Sequence, residues 1–166
     1  VSPPESGDNL HEGGMWAGGT MTIADHAVTM SLDGSSRSTV LRGLDERLRR
    51  EVMYIGLYPN MLVSLHPDYV MTHRIMPRAA GDTWVECQWL FDPDAVARPD
   101  FDPSYAVDFW DITNRQDWAA CEGVQRGLQS RGFQPGPFAS NEDAVCEWVQ
   151  WLARSYLAGE PAPAIA

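Results

Sequence analysis

The sequence predicts an α+β fold, in which an antiparallel sheet comes first and helices then pack over one of its faces. Three observations predict it. Four short runs rich in Val, Ile, Tyr, Trp and Met lie between residues 52 and 91, each closed by Pro, Asn, Asp or Gly. The links between these runs are short, and short links permit only antiparallel neighbours. Apolar residues then recur at helical spacing from Asp102 to about Ser130, so strands precede helices.

In chain order, "VSPPESGDNLHEGG" is polar and rich in Gly and Pro and reads as loop. Residues 20–23 and 27–32 read as a hairpin turning at Ala24-Asp25. "SSRSTVLRG" is loop, and Leu44 to Glu51 a short polar helix. The four strand runs are "VMYIGLY", "MLVSLH", "YVMTHRIM" and "TWVECQWLF". Alternation puts Met61, Val63 and Leu65 on one face of the second, Met71, His73 and Ile75 on one face of the third, and Val85, Cys87, Trp89 and Phe91 on one face of the fourth. Together they predict a single apolar face with His73 standing in it. Asp102 and Pro103 open the long helix, and Gly132 marks its stop. A last helix starts at Ser140, where Ser140 and Asp143 resemble a capping box. It buries Val145, Trp148, Val149, Leu152 and Tyr156 and ends at Gly159, leaving 159–166 as a flexible tail.

Composition narrows the function. A chain of 166 residues is one domain, and 44% apolar residues with seven Trp are globular values. The net charge of −11 argues against nucleic acid and anionic membrane as partners, because both require a basic face. No apolar run is long enough to span a bilayer. Cys87, Cys121 and Cys146 are odd in number, far apart and without zinc spacing, which suits a reducing cytoplasm. The start at Val1 reads as a cut through a larger protein.

One residue breaks the helical pattern. At about 100° per residue, Ala106, Trp110, Thr113, Cys121, Val124 and Leu128 all fall within about 40° of Asp117. A carboxylate is thus expected in the stripe that faces the sheet. Left unpaired there it would cost several kcal/mol, so something must answer its charge. Two answers stay open: an ion pair or hydrogen bonds to Arg74, His73 or a backbone amide, or a metal such as iron, manganese, magnesium or calcium.

The stretch "FWDITNRQDWAACEGVQRGLQSRGFQPGPFASNEDAVCEWVQWL" resembles the C-terminal end of the large subunit of Rieske-type non-haem iron oxygenases. Gln116, Asp117, Cys121, Glu122, Val124, Gln125, Arg126 and Gly127 match that family's Q-D-x-x-x-C-E-x-V-Q-R-G helix motif, and residues 57–77 also look familial. The resemblance spans residues 13–158. It implies a START-like helix-grip catalytic domain, incomplete at its N-terminus, with a cavity between sheet and long helix. It implies that Asp117 is the carboxylate of a two-His, one-carboxylate triad holding mononuclear iron(II). The [2Fe–2S] cluster is then expected only in a Rieske domain outside this chain, as is the helix carrying the two histidines.

The implied partners are a small organic substrate, O₂, and a ferredoxin or reductase electron donor, with a homotrimer as the full-length assembly. The implied reaction is hydroxylation or oxidative demethylation, by mono- or dioxygenation, and the chain alone is expected to be inactive. His73, Trp89, Trp110, Thr113 and Cys121 are candidates for the substrate pocket; for each, plain core packing is the competing role. Trp89, Phe91 and Trp110 could form an aromatic wall of the kind used by branches that act on quaternary ammonium compounds, and "DFWDITNRQDW" resembles that branch. The alternative from another class is a non-enzymatic small-ligand-binding helix-grip domain, with Asp117 merely hydrogen-bonded.

Overall fold

The computed structural model describes residues 6–10 and 14–159, and for 6–10 the backbone only. The order is β1 (Ser6–Leu10), β2 (Trp16–Thr22), β3 (Glu51–Leu57), β4 (Met61–Leu65), β5 (Tyr69–Ala79), β6 (Asp82–Phe91), α1 (Pro93–Val96), α2 (Ser104–Leu128) and α3 (Asp143–Ala158). The six strands form one antiparallel sheet in sequence order. The α+β class and all four strand runs of residues 52–91 stand as expected.

The opening segment is not all loop: residues 6–10 pair with β2. The hairpin at Ala24-Asp25 does not form. Residues 28–32 are bends, and β2 pairs with β3 instead. The reason is local. Arg50, at the end of a 3₁₀ turn (Leu48–Arg50), donates to the carbonyl oxygens of Ile23, Ala24 and Ala27 at 3.0, 3.0 and 2.7 Å. These bonds hold the chain in a compact loop where a strand would need it extended. That turn is all that forms of the helix expected over Leu44 to Glu51.

The loop is fastened a second time by Asp68, in the β4–β5 turn and only 1% exposed. Thr29 and Ser36 of the loop each donate a hydroxyl to it at 2.5 Å, and Tyr105 of α2 donates at 2.6 Å. Three O–H donors disperse a buried charge that would otherwise be costly.

Register corrects one face. Tyr54, Ser64, Met71 and Trp89 lie directly opposite one another across β3 to β6, as do Leu62, His73 and Cys87 across β4 to β6. Met71 belongs to the core with Tyr69, Tyr105, Ala106 and Trp110, and Cys87, Trp89 and Phe91 pack against it. The faces assigned to β5 and β6 are therefore right. In β4 it is Leu62 and Ser64 that face α2, while Met61, Val63 and Leu65 lie on the other side. Gly18 lies where β2 meets β3 closely: a side chain there would run into the Tyr54 carbonyl oxygen.

Asp102 starts α2 by accepting from the Ser104 amide at 2.9 Å. The helix ends at Leu128, and Gly132 takes no left-handed conformation. α3 begins at Asp143, not Ser140. Its lead-in is held by Glu142, which accepts from the Ala139 amide at 2.5 Å, so the Ser140–Asp143 box is not made. Gly159 stops it at φ 66° as expected. Trp148 and Leu152 are half-buried, but Val145, Val149 and Tyr156 are exposed. The face in use is Trp148–Trp151: Trp148 Nε1 donates to the Pro59 carbonyl at 2.9 Å, and Trp151 packs on Tyr58. The tail at 160–166 and His11 lie outside the described residues.

Candidate metal and substrate site

The floor of the site is the helix-facing side of β4, β5 and β6, and its roof is α2. The first half of α2 is tightly seated. Tyr105 and Ala106 are buried, and Trp110, 7% exposed, donates its Nε1–H to the Tyr69 hydroxyl at 2.8 Å. Tyr69 passes its own proton to the Met30 carbonyl at 2.8 Å. Burial raises the Tyr69 and Tyr105 hydroxyls well above the ordinary phenol range, so both act as neutral donors. His66 stacks on Tyr69 with centroids 4.1 Å apart and meets Tyr54 and Trp110 edge-on. Among the described residues neither of its ring nitrogens has a hydrogen-bond partner, and burial pushes its pKa down to about 3.

Asn114 is the last buried residue of α2, at 5% exposure. Its Oδ1 lies 3.0 Å from His73 Nε2, and its Nδ2 donates to Cys87 Sγ at 3.6 Å. Burial raises the Cys87 thiol pKa, with the Asn114 bond acting in the opposite direction. This contact ties α2 to β5 and β6 together. The sequence reading did not include Asn114; its one signal was a polar side chain about 60° from Asp117 on the helix wheel.

Past Asn114 no residue of the helix is buried among the described residues. Asp117 and Cys121 are exposed, and Thr113 is half-buried with its hydroxyl turned back to the Phe109 carbonyl at 3.0 Å. The expectation of Asp117 inside the buried stripe is thus corrected. The stripe has the right azimuth, but the described sheet covers it only from Tyr105 to Asn114. Neither open answer to its charge is needed from Arg74 or His73: Arg74 turns to Met76 and His73 to Asn114. Of the pocket candidates, His73, Trp89 and Trp110 come together: Trp110 meets His73 edge-on at 6.0 Å, and Trp89 packs on the same core. Thr113 and Cys121 lie one turn on either side of Asp117, the first half-buried and the second exposed. All three cysteines are free thiols. An open groove of about 560 Å³ also runs along β6, lined by Cys87, Trp89, Phe91, Val96, Phe101 and Val107 among others.

A sequence profile described as ring hydroxylating alpha subunit (catalytic domain) matches residues 4–158. The chain belongs to this family. Among ring hydroxylating alpha subunits and their relatives, it is 31% identical over 138 residues to the glycine betaine monooxygenase oxygenase subunit of Pseudomonas aeruginosa, covering 82% of this chain and 32% of that protein. The same subunit of Chromohalobacter salexigens is 31% identical over 136 residues, covering 81% of this chain and 31% of that protein. The chloroplastic choline monooxygenase of Arabidopsis thaliana is 27% identical over 94 residues, covering 57% and 22%. The chain thus spans about a third of the length of these curated relatives.

The ring hydroxylating family brings an iron site to be tested against these residues. A carboxylate such as Asp117 is a hard oxygen donor suited to iron. Among the described residues, however, no group of three His, Cys, Asp or Glu side chains could hold a metal ion. The described residues therefore do not by themselves fit a closed iron site. No described helix is long and apolar enough to cross a membrane.

Proposed function

We propose that this chain is the C-terminal part of the catalytic domain of a Rieske-type oxygenase, a helix-grip domain whose floor and roof are the sheet and α2 described above. The whole protein would carry out O₂-dependent hydroxylation or oxidative demethylation of a small organic substrate, with electrons from NAD(P)H through a ferredoxin or reductase, as a cytoplasmic homotrimer. The observation that carries the reading is the family match over residues 4–158, with oxygenase subunits aligned over about four fifths of the chain. Glycine betaine and choline share a quaternary ammonium group, so a quaternary ammonium compound is the proposed substrate class.

Asp117 is proposed as one protein ligand of mononuclear iron(II), the others coming from outside the described residues. Its place supports this: it has no hydrogen bond or ion pair among the described residues and continues the sheet-facing stripe just beyond the last buried residue, Asn114. A binding module in which Asp117 is merely hydrogen-bonded finds no such bond. His73, Trp89, Trp110, Thr113 and Cys121 are proposed to border the substrate space between the Leu62–His73–Cys87 row and the Asp117 turn.

The test is Asp117→Ala in the complete protein. Turnover is expected to be abolished and mononuclear iron lost, with the [2Fe–2S] cluster kept, because one of a few ligands to a dication is gone. Normal iron content and turnover in that variant would remove Asp117 from the site.

A further inference from the structure

The two faces of the sheet are not covered alike. On the α2 side, Tyr69 and Met71 are fully buried in one cluster with Tyr105, Ala106 and Trp110. The other side is apolar too. Met53, Leu65, Val70 and Leu90 stand directly opposite one another across β3 to β6, and Ile55 and Val63 begin the next row. None of these six is buried: five are half-buried, and Leu90 is 52% exposed.

An antiparallel sheet with one side in water does not look like this. Its strands alternate apolar and polar residues. Here β3 runs Val52-Met53-Tyr54-Ile55 and β4 runs Met61-Leu62-Val63 without a charged or hydroxyl-bearing aliphatic residue between them. Unbroken apolar runs belong to strands covered on both faces. Four strands about 4.8 Å apart, over about five residues of 3.4 Å each, make a patch on the order of 300 Å². Contiguous apolar surface of that size marks a contact.

Resting on the reading of this chain as the C-terminal part of a longer subunit, we propose that the outer face of β3 to β6 is the seat of the N-terminal part of the same polypeptide. Most of such a polypeptide lies outside the matched region, which is 32% and 31% of the two glycine betaine monooxygenase subunits. The α2 side of the sheet is already filled, so the outer face is the broad apolar surface left to receive it. A tethered segment also meets that face at an effective concentration that a free partner does not reach. A second copy seated on the same face would pair patch to patch about a twofold axis, and that does not generate the threefold ring proposed for the subunit. The net charge of −11 disfavours an anionic membrane.

The experiment is photo-crosslinking in the complete subunit. p-Benzoylphenylalanine is placed at Leu90 and, separately, at Val63, and crosslinked peptides are mapped by mass spectrometry. Mixing light- and heavy-isotope subunits separates crosslinks within a chain from those between chains. Crosslinks from both positions to N-terminal residues of the same polypeptide are expected. The unmodified subunit supplies a second measurement that needs no substitution. Hydroxyl-radical oxidation of Leu90 should be about tenfold slower in the folded subunit than in urea, as for a residue at the centre of a contact. Crosslinks only between chains would assign the face to a second copy and overturn the proposal. Slowing of Leu90 by only about twofold, the factor its present exposure gives, would leave the face in water and overturn it as well. A complete protein without [2Fe–2S] absorption would overturn the Rieske reading, while N-terminal crosslinks within the chain would still uphold the covered face.

Discussion

At the scale of single residues, His66 carries a pH dependence whose sign is fixed by its burial. An imidazole in the unfolded chain takes its proton near the ordinary 6.5, while the folded one resists to about 3. Between those values the unfolded state binds more protons. Stability is therefore complete above about 6.5 and falls by about 1.4 kcal/mol per pH unit on the way down to about 3. Urea titrations of the chain at a series of pH values would measure this slope. His66→Phe, which keeps the ring against Tyr69 and Trp110, should flatten it. An equal slope in the variant would assign the acid sensitivity to other groups.

At the scale of elements, α2 is two helices in one. Its first half is held by Tyr105, Ala106, Trp110 and Asn114, and its second half exposes Trp118, Val124 and Leu128. Trp110→Ala should therefore cost about 3–5 kcal/mol in chemical denaturation of the chain. Val124→Ala and Asp117→Ala should each stay within about 0.5 kcal/mol. Amide exchange should be slow up to Asn114 and fast beyond it.

This division marks the limit of what the sequence tells. Helical periodicity gave the azimuth of the stripe, so Ala106, Trp110 and Thr113 turn toward the sheet as expected. It says nothing of where the cover ends, and that is why Asp117 was expected inside. Alternation is limited in the same way. It separates Met61, Val63 and Leu65 from Leu62 and Ser64 but does not say which set faces the helix; the pairing of Ser64 with Met71 decides that. Asn114, Thr29, Ser36 and Asp68 were not legible because their partners are up to 41 residues away and follow no local pattern.

At the scale of the whole molecule, the sheet follows the chain: each strand pairs with the next, and only the β2–β3 link is long. This has a consequence in time. Hairpins of adjacent strands close in about 1–10 μs, whereas the β2–β3 contact must first meet the entropy of closing residues 23–50. The β5–β6 hairpin should be formed in the folding transition state, and the loop held by Arg50 and Asp68 should settle afterwards. Val85→Ala is then expected chiefly to slow folding in a denaturant-jump experiment, and Arg50→Met chiefly to speed unfolding. If Arg50→Met instead slows folding, the loop is part of the nucleus. The Arg50 clamp thus acts as a latch on an already assembled sheet, governing how long the chain stays folded more than how quickly it gets there.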